Sequence, residues 1–122
     1  MSREISVSAS LAVVKGSVNF SRNITPTSPD FNGTLSTGGI VSIGTGATQV
    51  PVGSGIGTAG WALFINTDAT NYLTIGSYIS ATYYAFAKLK PGEMTLCRLV
   101  STTVYAQANT AACNLEYYIF AD

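Results

Sequence analysis

Histidine is missing from this chain of 122 residues. With it go the commonest general base, the commonest transition-metal ligand and every nucleophilic triad built on an imidazole. Charge is scarce as well: 10% of residues are charged, against roughly 25% in an average soluble domain. Six basic and six acidic residues cancel, and neither sign clusters. Nucleic acid and anionic membrane are therefore poor main partners, because each needs a concentrated basic field. Cysteine occurs twice, as Cys97 and Cys113, too far apart for a CxxC redox or zinc pattern. Two small buried thiols on neighbouring strands are the simplest reading, and a disulfide is the other. No segment approaches the ~18 apolar residues of a membrane span, and MSREISVSAS has no apolar core of signal-peptide length. The expectation is synthesis in a cytoplasm.

What the chain does have is 47% apolar residues set in short alternating runs. Ile5, Val7, Ala9, Leu11 and Val13 share one face of a segment whose other face carries Ser6, Ser8 and Ser10, which is the pattern of a strand with one wet face. Lys15-Gly16-Ser17 turns the chain into a second strand over Val18–Ile24. Pro26 and Pro29 then favour a loop or extended arm over 25–33. Glycines from Gly38 to Gly57 separate short apolar pieces at 40–43 and 49–52, which read as strands joined by tight turns. GIGTAG lacks the following helix and the Lys-Ser/Thr pair of a phosphate loop.

Gly60–Gly76, GWALFINTDATNYLTIG, reads as two strands folded back through an Asn/Asp/Thr turn. Trp61, Leu63 and Ile65 point one way and Ala62 and Phe64 the other, and this hairpin is expected to seed the core, with Trp61 and Phe64 as its anchors. Asn66, Asp68 and Asn71 are its turn residues. Tyr83–Leu89 follows as an aromatic strand, Lys90-Pro91-Gly92-Glu93 as a turn, with Pro91 presetting one central residue and Gly92 supplying positive φ. Strands are expected over Met94–Val100, Thr103–Gln107 and Ala112–Ala121. In the last, Cys113, Leu115, Tyr117 and Ile119 alternate with Asn114, Glu116, Tyr118 and Phe120. The length suits one domain. About eight to ten short strands and no helical period predict an all-β, antiparallel β-sandwich or jelly-roll-like barrel.

Few residues offer chemistry. Asn66, Asp68, Thr70 and Asn71 supply oxygens, but with a single carboxylate they suit a turn better than a calcium site. Asp30, Asp68, Glu93 and Glu116 are not forced into a glycosidase pair by their spacing. The seven tyrosines and the one tryptophan are the richer signal, serving either a small core, a protein interface or a sugar platform.

The segments GWALFINTDATNYLTIG, AFAKLKPGEMTLCRL and YAQANTAACNLEYYIFAD together resemble small virion proteins of tailed bacteriophages. The shared layout is an aromatic strand, an N-x-D-x-x-N turn, a strand, then F-x-x-L-K-P-G-E-x-x-L-x-R-L, an alanine-rich turn and an aromatic last strand. It covers about residues 56–122, while the N-terminal half departs from it. The resemblance implies a capsid decoration (cement) protein or a small tail-associated β protein, without cofactor, metal or catalytic residues. The implied partners are a major capsid protein and copies of the chain itself as a homotrimer, on the capsid surface of a virion. Pro26, Pro29 and Phe31 in the arm, with Tyr117 and Tyr118 in the last strand, are the interface candidates. A carbohydrate- or receptor-binding module of a tail or head fibre, stacking Trp61 on sugar, is the alternative. A glycan hydrolase using Glu93 or Glu116 ranks last.

Overall fold

The computed structural model describes residues 5–27, 33 and 35–122, with the backbone alone at 25–27. They form ten strands and no helix: β1 (Val7–Lys15), β2 (Val18–Thr27), β3 (Ser36–Ile43), β4 (Thr48–Gln49), β5 (Ala59–Asn66), β6 (Leu73–Ile79), β7 (Thr82–Leu89), β8 (Met94–Arg98), β9 (Tyr105–Ala108) and β10 (Cys113–Ala121). All pairings are antiparallel. The chain divides into two compact units, Met1–Asn32 and Gly33–Asp122.

The first unit contains a two-stranded hairpin. Gly16 and Ser17 close the turn between Lys15 and Val18, and the register runs through Val13 opposite Phe20, Leu11 opposite Arg22 and Ala9 opposite Ile24. Residues directly opposite in such a ladder share a face. The apolar stripe read from β1 is therefore completed by β2, yet it is not buried: Leu11 is 60% exposed and Phe20 49%. The expected loop over 25–33 begins later than proposed, since β2 continues through Pro26 to Thr27. The register slips between Val7 and Ala9, so β2 has an extra residue where Pro26 lies. A bulge tolerates the missing N–H of proline. Pro29 and Phe31 lie outside the described residues.

The second unit is a β-sandwich of two four-stranded sheets, ordered β3-β10-β5-β8 and β4-β9-β6-β7, and it is not closed into a barrel. The pairings β3 with β10, β4 with β9, β5 with β8 and β6 with β7 nest inside one another around the β6–β7 turn. That long ladder is rolled so that β10 also meets β5 and β9 also meets β6. Between the sheets lie Ile43, Phe64, Leu115 and Ile119 from the first sheet and Leu73, Ile75, Leu89 and Ala106 from the second, all at most 3% exposed.

The rolled order overturns the expected hairpin across Gly60–Gly76. β5 and β6 belong to different sheets, and residues 67–72 carry the chain across the ~10 Å between packed sheets. Asn, Asp and Thr satisfy the backbone of a crossing as well as that of a hairpin turn, so local composition does not separate the two. The cysteines are not on neighbouring strands either. β5 lies between β8, with Cys97, and β10, with Cys113. Two strand spacings of about 4.8 Å already exceed the reach of a disulfide, and both thiols are free.

Candidate functional site

The three segments that carry the resemblance meet at one end of the sandwich, around Asn66. Its side chain is wholly buried and fully engaged. Nδ2 donates to the carbonyls of Asn71 (3.0 Å) and Leu89 (2.9 Å), while Oδ1 accepts the N–H of Asp68 (2.9 Å). The main chain of Asn66 exchanges bonds with the 90–93 turn: its N–H donates to Glu93 and its carbonyl accepts from Gly92, both at 2.9 Å. Pro91 and Gly92 sit where that turn needs them. Gly92 has φ of 81°, and the Glu93 N–H closes onto the Lys90 carbonyl at 2.9 Å. Glu93 also accepts the Lys90 N–H on its carboxylate at 2.8 Å. From the alanine-rich turn, Thr110 donates to Asn71 Oδ1 at 2.8 Å.

Asp68 organises the crossing itself. One carboxylate oxygen accepts the N–H groups of Asn71 (2.7 Å) and Thr70 (3.0 Å), and those backbone bonds hold its carboxyl below the usual range. Among the described residues no group of three or more His, Cys, Asp or Glu is placed to hold a metal ion. The cluster is thus a device for satisfying backbone groups where three loops meet.

Trp61 departs from expectation. The alternation in β5 is as read, but the buried set is Ala62, Phe64 and Asn66, and Trp61, Leu63 and Ile65 lie half-buried on the outer side of the first sheet. Phe64 is the core anchor at 0% exposure. The guanidinium of Arg98 lies 5.5 Å from the Trp61 ring centroid and also pairs with Asp122 at 3.0 Å. The indole Nε1 is buried and has no acceptor among the described residues.

The last strand divides the two interface tyrosines. Tyr117 is a core residue, 6% exposed, and not an interface residue; Tyr118 is 38% exposed on the outer face. The Tyr118 hydroxyl donates to the Glu116 carboxylate, and this bond, with some desolvation, raises the phenol's pKa. Other tyrosines are occupied locally: Tyr83 with Thr74 Oγ1 at 2.8 Å, Tyr78 stacked on Tyr105 at 4.9 Å, and Tyr72 beneath the Lys88 ammonium at 4.1 Å. Burial pushes both cysteine thiols up, and the Asp68 charge adds to the effect at Cys113.

Among the described residues, surface grooves of 250 to 480 Å³ are lined without a carboxylate. Glu93 and Glu116, the alternative carboxylates of the hydrolase reading, each accept a hydrogen bond from a neighbour in their own segment. What residue-by-residue reading missed is the outer face of the first sheet. Its signal was the unbroken apolar run Trp61–Ile65, since an antiparallel strand with one solvated face should alternate with polar residues. The chain matches no protein-family model, no curated protein and no solved structure.

Proposed function

We propose that the chain is a non-catalytic structural protein of a virus particle, a decoration (cement) protein that sits on the capsid surface and stabilises the head of a tailed bacteriophage. The observation that carries this reading is the β1–β2 hairpin. A lone two-stranded hairpin is at best marginally stable in water, and this one leaves Leu11, Val13, Val18, Phe20 and Ile24 40% to 60% exposed on one face. In this reading the hairpin is an arm, and the major capsid protein of the shell supplies cover for that apolar face. The nested, rolled strand order of residues 33–122 is that of a jelly roll, an arrangement frequent in viral coat and lectin domains. Association with copies of itself, a trimer in the resemblance, belongs to the same reading, as does independence of any cofactor, nucleic acid or membrane.

The fibre-module alternative gains from the outward placement of Trp61 but loses the open ring face it needs, because Arg98 lies over the indole. Quantitative mass spectrometry of purified particles tests the proposal. Decoration requires this chain at a copy number comparable with that of the coat protein. A few copies per particle, or none, would overturn it.

A further inference from the structure

At one end of the second sheet a surface groove of about 250 Å³ is lined by Thr45, Tyr72, Thr74, Gln107, Ala108 and Asn109. The register of β6 with β7 and β9 sets Thr74 opposite both Lys88 and Gln107. Leu73, Leu89 and Ala108, one residue along, are buried between the sheets, so these three side chains share the outer face. Neighbouring bonds hold the polar groups in place. Gln107 Nε2 donates to the Thr45 carbonyl at 2.8 Å, Thr74 Oγ1 shares a hydrogen bond with the Tyr83 hydroxyl at 2.8 Å, and the Asn109 N–H donates to the Tyr72 carbonyl at 3.2 Å. The Lys88 ammonium stands over the Tyr72 ring, 4.1 Å from its centroid, and among the described residues no carboxylate pairs with it. The groove thus offers hydroxyls and amides, which both give and accept hydrogen bonds, beside a single cation.

We propose that this groove binds an acidic sugar, a hydroxylated ring carrying one carboxylate. The walls select that chemistry. An apolar ligand would strip water from the threonine and amide groups and return no bonds, whereas ring hydroxyls replace that water bond for bond. The ammonium calls for a carboxylate, because a charge-assisted hydrogen bond is roughly twice as strong as a neutral one. Lys88 covers the Tyr72 ring, so the ring orients the charge and does not stack on the ligand. The volume is just under the roughly 300–1,000 Å³ of drug-sized sites, which leaves room for one ring and not for a chain. Bonds already made among the groove residues reduce the ordering that binding must cost. The inference goes beyond the decoration reading and does not depend on it.

Titration of the isotope-labelled full chain with sodium glucuronate, followed by heteronuclear NMR, is the test, with glucose and sodium acetate as comparison ligands. The expected result is a saturable shift confined to signals of Thr45, Tyr72, Thr74, Gln107 and Asn109, with a millimolar dissociation constant. Glucose and acetate, each with half of the recognised chemistry, are expected to bind at least about tenfold more weakly. Lys88→Gln weakens glucuronate about tenfold and leaves glucose unchanged, and Gln107→Ala weakens both sugars. Lys90→Gln removes an equal charge from the adjacent turn and changes neither. Both lysines are exposed, so melting of their variants is expected to match the parent. No saturable shift at about 50 mM glucuronate overturns the proposal. So does glucose or acetate binding as tightly as glucuronate, or Lys90→Gln doing as much damage as Lys88→Gln. Absence of the chain from virus particles would sink the decoration reading while leaving this titration untouched.

Discussion

Asn66 shows how a single buried amide can fix three loops. Both of its N–H donors end on carbonyls from different segments, Asn71 and Leu89, and its oxygen holds the N–H of Asp68 in the crossing. Truncation to alanine leaves those two carbonyls without their side-chain donor and opens a small void beneath the 90–93 turn. The expected loss is about 2–4 kcal/mol, because a buried polar group stripped of its partner costs more than the bond it made. Urea denaturation of Asn66→Ala against the parent measures it, and a loss under about 0.5 kcal/mol would show that the cluster is incidental. Asp68 gives the pH dependence. Its carboxyl is depressed in the folded state by the backbone N–H groups of Asn71 and Thr70. The stabilisation is therefore present above the unfolded-state pKa and is lost as pH falls through the lower folded value. The difference in urea midpoint between the parent and Asp68→Ala is expected to shrink as pH is lowered from neutrality to below the ordinary carboxylate range. A difference that stays constant with pH would mean that the carboxylate does not couple to folding.

At the scale of elements, the alternation of large side chains made most strands legible. β5, β7 and β10 fall within one or two residues of where period-two patterning put them; in β5 and β10 every second residue is buried, and in β7 the alternation survives although Leu89 is its one buried residue. The 90–93 turn was equally legible, since Pro91 and Gly92 have few other uses side by side. Partnership was not legible. Period two says that a strand has two faces but not which of them is dry, and β5 is apolar on both, so Trp61 was assigned inward on size alone. In β10 the alternation of Cys113, Leu115 and Ile119 with Asn114 and Glu116 already groups Tyr117 with the apolar face and Tyr118 with the polar one, and the register of Tyr117 with Phe64 agrees. The β6–β7 turn was hidden for a different reason. Ser80 and Ala81 both adopt positive φ, at 51° and 61°, a tight hairpin geometry that usually draws Asn and Gly. Gly76, by contrast, sits mid-strand because Tyr84 crosses close by: a Cβ there would stand 2.1 Å from the Tyr84 carbonyl oxygen, at the bulge between β6 and β7. Long-range pairing creates that requirement, so no local window reveals it.

For the whole molecule, the distribution of burial makes a claim about folding units. Every residue of the buried apolar cluster comes from 43–119, whereas described hairpin side chains from Ser8 to Ile24 are all exposed. The nested ladder also begins and ends within the second unit, with β3 and β10 pairing from Ser36 opposite Phe120 to Ile43 opposite Cys113. Residues 33–122 thus contain their own core and close their own sheet order, and the ladder needs no strand from 1–32. A fragment of 33–122 is expected to fold and to melt within about 3 °C of the full chain, since 1 kcal/mol shifts the midpoint of a domain this size by roughly 4–8 °C. Calorimetry of the two proteins at equal concentration measures it. A fragment that is unfolded, or that melts more than about 10 °C lower, would show that the hairpin is part of the sandwich's cooperative unit. It would then serve its own chain's stability, and the arm assigned to the capsid would have to be sought elsewhere.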